Sequence, residues 1–128
     1  MKTKEVGQIG ESIACKFLER QGYTIVERNY RLKHAEIDII AKKGTTIHFV
    51  EVKSLRTKVI PVVSRETTER KPEDLVHPLK LRKIESAALF YMDRYTGNFD
   101  FQIDVVGVFI DERRRFGRCR LIENANSS

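Results

Sequence analysis

The sequence predicts an α/β fold, a central mixed β-sheet flanked by helices, and three observations carry that prediction. Apolar residues recur at helical spacing in two separate segments. Between and after them lie runs that either alternate with period two or are almost wholly apolar. The resulting order is helix, three strands, helix, two strands. At 128 residues the chain has the length for one domain with a real core and too little for two ordinary ones. We therefore expect a single domain over residues 1–123, followed by a disordered tail at 124–128.

The first helix runs from Val6 to Gln21, with Ile9, Ile13, Ala14, Phe17 and Leu18 as its apolar stripe and Gly22 as its C-terminal cap. Gly7 and Gly10 each weaken such a helix by about 1 kcal/mol relative to alanine. A close approach to the sheet or to a phosphate backbone accounts for them, and a kinked or frayed first turn is the plainer alternative. Tyr23 to Asn29 reads as a strand and Arg31 to Ala35 as a polar link. Residues 54–77, rich in Pro, Thr, Ser and basic side chains, read as a long loop with a short strand at Val59 to Val63. Pro78 opens a second helix striped by Leu81, Ile84, Ala88, Tyr91, Met92 and Tyr95, and Gly97 ends it. A strand from Phe101 to Ile110 follows, interrupted by Asp104, which reads as a strand-edge cap or a polar contact near a site. The basic turn Arg113-Arg114-Arg115-Phe116-Gly117 leads to a last strand at Arg118 to Ile122.

The chemistry concentrates in two strands, Glu36-Ile37-Asp38-Ile39-Ile40 and Phe49-Val50-Glu51-Val52-Lys53. Alternate residues of a strand share a face, so Glu36 goes with Asp38 and Glu51 with Lys53. A type II′ turn at Gly44-Thr45 folds them into a hairpin that sets Asp38 opposite Glu51 and Glu36 opposite Lys53. A turn at Lys43-Gly44 instead pairs Glu36 with Glu51 and Asp38 with Phe49, and both registers keep the four charges on one face. Opposed side chains lie about 4.5–5.5 Å apart, where like charges destabilise. Two carboxylates so placed call for a cation. A divalent metal with a lysine beside it is suited to phosphodiester hydrolysis, because the metal polarises the phosphoryl oxygen and acidifies a water while the ammonium offsets developing charge. The purely structural alternative is a set of exposed cross-strand ion pairs, each worth about 0.2–1 kcal/mol. It explains Glu36 with Lys53 and fails for Asp38 with Glu51.

With 24 Lys and Arg against 18 Asp and Glu, the net charge of +6 points to a polyanionic partner. Arg56, Lys58, Lys80, Lys83 and Arg113 to Arg115 are candidates for phosphate contact through counterion release. Few aromatics are interleaved with them, so duplex backbone contact is favoured over base stacking. No apolar run approaches a membrane span, and the first residues lack a signal-peptide core, so a cytoplasmic location is expected. Cys15 and Cys119 lack zinc-site spacing, and Cys15 reads as a buried free thiol. His34 shares parity with Glu36 and Asp38 but reads as a solvated loop histidine.

Several of these residues belong to longer strings: Gly7-Gln8-Ile9-Gly10-Glu11, Gly22-Tyr23, Asn29-Tyr30-Arg31, Glu36 through Ala41, Phe49 through Lys53, Lys80 and Asp104-Val105-Val106. In order and spacing they resemble the YraN-type uncharacterised protein family, over most of the chain. That family is similar to archaeal Holliday junction resolvases of the PD-(D/E)XK superfamily. The resemblance implies a restriction-endonuclease-like fold and a metal-dependent endonuclease acting on DNA, with branched or structured DNA as the substrate. It implies Asp38, Glu51 and Lys53 as the catalytic core and Glu11 as an additional acidic member. Asp38, Glu51 and the Val52 carbonyl are the implied ligands of Mg2+ or Mn2+. Lys53 is implied to position the attacking water, and Glu11 to hold a second metal, a water or Lys53. A homodimer is implied as well, since two strands are cut symmetrically.

The chain departs from the family at Ala35, where glycine is usual, at Ser54-Leu55-Arg56, where an arginine usually follows the lysine closely, and at Gln102, where an arginine is usual. These departures touch substrate contacts more than the metal site. Two other readings stand beside the nuclease: a catalytically silent nucleic-acid-binding module of the same fold, and an interaction subunit of a DNA-processing complex.

Overall fold

The computed structural model describes residues 3–57, 76–111 and 116–125. Its elements are α1 (Thr3–Arg20), β1 (Thr24–Leu32), β2 (Ala35–Lys43), β3 (Thr46–Thr57), α2 (Pro78–Met92), β4 (Asp100–Asp111) and β5 (Phe116–Ile122). One five-stranded sheet takes them in the order β1-β2-β3-β4-β5. Every neighbouring pair is antiparallel except β3 with β4, which run parallel and so need the crossover that carries α2. The sheet is therefore mixed, as the order of elements predicts. Among the described residues, no helix is long and apolar enough to cross a membrane.

The two faces of the sheet bury separate cores. Val6, Ala14, Cys15 and Leu18 of α1 pack on Ile39, Val50, Val52, Val106 and Val108. Ile84, Ala87, Ala88 and Tyr91 of α2 pack on Ile37, Ile40, Phe49 and Ile103. Burial raises the Cys15 pKa, so the buried free thiol is inert.

Local chemistry fixes the elements that flank the hairpin. At the end of α1, Gly22 adopts φ 94. Its N–H donates to Glu19 O and the Tyr23 N–H to Leu18 O, the paired bonds of a Schellman cap. A Cβ on Gly10 would fall on the Ser54 hydroxyl and 3.0 Å from Ser54 Cβ, so this glycine lets α1 approach β3. Gly7 has open space around it, and the close-approach argument does not extend to it. Pro78 begins α2, where the His77 imidazole Nδ1 accepts from the Leu79 N–H at 3.0 Å.

Several boundaries differ from the sequence reading. The link at 31–35 shrinks to the two-residue turn Lys33-His34, because Leu32 pairs with Ala35. β3 continues through Ser54 to Thr57 along β4, so the long connection begins later than Ser54. The strand expected at Val59 to Val63, Lys58, and Arg113 to Arg115 lie outside the described residues. α2 stops at Met92, capped by Asp93, short of Gly97. Tyr95 still joins the core by packing its ring on Tyr91 and Phe99. Two residues expected in the tail are tied down: Asn124 N donates to Asp104 Oδ1 at 3.0 Å and Ala125 N to Ile103 O at 2.7 Å.

Candidate active site

The β2–β3 register is the one that a turn at Gly44-Thr45 demands: Lys43 faces Thr46 and Ile39 faces Val50. Gly44 sits at φ 61, and Thr45 keeps a negative φ, the sign pattern of a type II′ turn. The ladder then stops one step before Asp38 and Glu51 would meet. β2 continues against β1 through Ala35, and β3 continues against β4 through Thr57, so the two strands part. Two carboxylates forced into a regular opposed pair would repel, and the divergence relieves that. The backbone donor freed by the parting is answered by a side chain, for the Val52 N–H donates to Asp38 Oδ2 at 2.8 Å. The N–H and C=O of a strand residue point together, so the Val52 carbonyl is directed to the same notch.

A cleft of about 700 Å³ opens there, lined by Glu11, Asp38, Glu51, Val52, Lys53 and Lys80, among others. α1 delivers Glu11 next to Gly10, the position that allows the helix to come close. β3 delivers Glu51 and Lys53. The four residues that the resemblance implies as the site therefore meet in one place. Glu51 is almost wholly buried, at 3% exposure, and its Oε2 has no hydrogen-bond partner. Burial pushes its carboxyl up to about 8, helped by the nearby charge of Asp38, against the opposing pull of Lys80. Glu11 is raised to about 7, first by desolvation and then by Asp38, while Arg28 pulls the other way. Three carboxyls thus crowd together, and two of them, Glu11 and Glu51, are held well above the ordinary carboxylate range.

Two placements add to what the sequence shows. Lys80, read there as a phosphate contact, sets its Nζ 2.9 Å from Glu51 Oε1. Burial alone would lower its pKa, but the hydrogen bond to Glu51 and the charges of Glu51, Asp38 and Glu36 outweigh burial and raise it. Asn29 adopts φ 52 within β1, a left-handed conformation that asparagine tolerates better than most residues. With its amide nitrogen turned toward the acids, as the surrounding acceptors require, Asn29 donates to Glu11 Oε1 at 3.1 Å and Glu36 Oε1 at 3.3 Å. An asparagine inside a strand pattern is a visible sequence signal, but its meaning depends on which acids arrive beside it.

Glu36 lines the cleft as well, and the remaining candidates do not. Glu36 takes its ion pair from Arg31 at 3.5 Å rather than from Lys53, since Arg31 is its ladder neighbour on β1. Lys83, nearly one turn beyond Lys80, faces an adjoining groove with His34. Arg56 is exposed on β3 and does not line the cleft. Asp104 does not line the cleft and is bonded to His48.

The profile of the uncharacterised protein family UPF0102 matches residues 10–108. A UPF0102 protein of Alkaliphilus metalliredigens is 38% identical over 114 residues, covering 88% of this chain and 92% of the relative. One from Caldicellulosiruptor saccharolyticus is 35% identical over 126 residues, 98% of this chain and 99% of the relative. One from Thermotoga petrophila reaches 49% over 82 residues, 64% of this chain and 66% of the relative. The matched segment holds Glu11, Asp38, Glu51, Lys53 and Lys80, and the chain belongs to UPF0102, the YraN-type family.

Proposed function

We propose that this protein is a metal-dependent endonuclease that hydrolyses phosphodiester bonds of DNA, branched or otherwise structured, on a restriction-endonuclease-like arrangement of sheet and helices. The observation that carries the reading is the orphaned Glu51 Oε2, buried beside Asp38 and Glu11 where β2 and β3 part. A buried carboxylate oxygen without a partner is costly, and a cation supplies what it lacks.

The available donors are all oxygen, which suits Mg2+ or Mn2+ held by Asp38, Glu51 and the Val52 carbonyl. Among the described residues, no group of three or more His, Cys, Asp or Glu forms a metal cage. Magnesium sites are commonly of this open kind, completed by water and substrate phosphate. When bound, the metal polarises the phosphoryl oxygen and makes a nearby water more acidic. The chain's own groups do the rest. Lys53 orients the attacking water and offsets charge on the phosphoryl oxygens. Glu11, poised near neutrality, takes a proton from that water. As the water oxygen bonds to phosphorus, one ester P–O bond breaks and the leaving oxygen takes a proton from solvent, giving a phosphate monoester and a hydroxyl end. Lys80 neutralises the far side of the notch through Glu51 Oε1.

The test is a matched panel of linear duplex, single-stranded, flap and four-way-junction DNA, incubated with magnesium, manganese or EDTA. Native protein is compared with Asp38→Ala and Glu51→Ala. Metal-dependent cutting that both substitutions abolish is expected, and absence of cutting on every substrate overturns the reading. The Lys80–Glu51 ion pair favours a second reading, because a built-in cation already occupies part of the acidic site. A silent binding module would hold DNA in a salt-sensitive way with neither cleavage nor dependence on Asp38. A homodimer goes with the junction substrate, and a sedimentation profile that stays monomeric on junction DNA counts against it.

A further inference from the structure

The notch continues into a surface groove between the Lys33-His34 turn and α2. Its near part, about 530 Å³, lies between Glu36 and Asp38 on one side and His77, Lys80 and Lys83 on the other. Its far part, about 470 Å³, is floored by Leu32 and Ala87, edged by Lys33, His34 and Lys83, and closed by Phe90. His34, Ala35 and Lys83 line both parts, which makes them one path leading away from the carboxylates.

The two parts differ in character. Acids border the near part, whereas no acidic residue lines the far part, whose fixed charges are the two lysines. Phe90 is 62% exposed, more than any of the other exposed large hydrophobic side chains among the described residues. It follows Lys83 and Ser86 along one face of α2, at spacings of three and four. A duplex backbone accounts for the lysines but gives an exposed phenyl ring nothing to do. An unpaired strand accounts for both, since its phosphates meet the lysines while a base stacks on the ring. The sequence separates the aromatic from the basic residues, and only the fold puts Phe90, on α2, beside Lys33, on the β1–β2 turn.

We propose that this groove binds an unpaired DNA strand continuing from the carboxylate notch, with Lys33 and Lys83 holding its phosphates and Phe90 stacking one of its bases. The continuity with a scissile phosphate rests on the nuclease reading; binding of the strand does not. Lys80 and Phe90 are separated by ten helical positions, or ~15 Å along the axis. The stacked base therefore lies a few nucleotides from the notch, and a tail shorter than that distance cannot reach the ring.

The experiment is fluorescence anisotropy in EDTA, with full-length protein and labelled duplexes that are blunt or carry single-stranded tails of increasing length. Affinity is expected to rise once the tail spans the groove. Phe90→Ala should weaken tailed DNA about tenfold, leave blunt DNA unchanged, and be rescued by Phe90→Tyr. Lys83→Ala should weaken tailed DNA and flatten its salt dependence. Equal affinity for tailed and blunt DNA, or indifference to Phe90→Ala, overturns the proposal. A dimer that Phe90→Ala turns into a monomer also overturns it, because the groove is then a contact between copies of the chain. Tail preference without any cleavage in magnesium or manganese would remove the nuclease reading and leave the groove; cleavage indifferent to tails and to Phe90 would do the reverse.

Discussion

β3 buries a titratable side chain at two places three residues apart, and the two are resolved in opposite ways. At His48 the chain satisfies its polar groups. His48 Nδ1 lies 2.6 Å from Asp104 Oδ2, with the two side chains 5% and 0% exposed. Asp104 Oδ1 accepts from Gln102 Nε2 at 2.8 Å and from Asn124 N at 3.0 Å. The Tyr23 ring packs edge-on against the imidazole. At Glu51 an equally buried carboxyl shares Asp38 with a third acid and leaves Oε2 without a partner. Satisfied buried charge ties strands and the C-terminal turn together. At Glu51 the unsatisfied oxygen is, on the proposed reading, the place where stability is yielded to chemistry.

The largest effect on stability is expected from the satisfied end. Asp104→Ala strips the partner from His48 and the anchor from Asn124, and urea unfolding should show a loss of about 3–5 kcal/mol. A loss below 1 kcal/mol would show that the His48 pair does not lock the fold in this way.

The next effect belongs to the unsatisfied end and has the opposite sign. In the native state Glu11 and Glu51 titrate near 7 and 8, against an ordinary 4.5 in the unfolded chain. The native state therefore holds more protons between those values, and metal-free stability falls as pH rises from about 5 to about 8. Glu51→Gln should flatten that fall and raise the metal-free melting temperature at pH 8 by a few degrees. Magnesium at a hundredfold excess over its Kd should raise native stability by about 2.7 kcal/mol at that pH. Scanning calorimetry across pH, with and without magnesium, measures both. A melting temperature that is flat with pH and unmoved by metal would break the comparison.

Gly10→Ala tests how the notch is assembled. The new methyl meets Ser54, so a loss of about 1–3 kcal/mol is expected, together with weaker magnesium binding as α1 carries Glu11 outward. The smallest effect is the control: Arg31→Ala removes an exposed ion pair to Glu36 and should cost less than about 1 kcal/mol in urea unfolding.

The legible parts of the site were those decided by neighbours in the chain. A glycine-first two-residue turn sets the register of β2 on β3, and that register directs Asp38 and Glu51 toward one face. The parting of the strands was not legible, because it depends on β2 preferring β1 and β3 preferring β4 beyond Ile39 and Val50. Lys80 reaches Glu51 only because the apolar stripe of α2 seats that helix on the sheet face carrying Glu51. The partner of Asp104 lies 56 residues away. No local pattern links that pair, and Asp104 alone reads equally well as a cap or a site contact. Glu36 looked set for Lys53, but continued pairing on the β1 side supplies Arg31 instead.

The central place of β3 has a consequence for synthesis. Its antiparallel neighbour lies one tight turn upstream, whereas its parallel neighbour begins at Asp100, opposite Thr46. As the chain leaves the ribosome, the three-strand meander can form early, but its inner edge stays open until β4 has emerged. A product cut short before that point carries the acidic motif without the wall that buries it. The sheet around the notch is thus completed by a strand made after every residue that lines it.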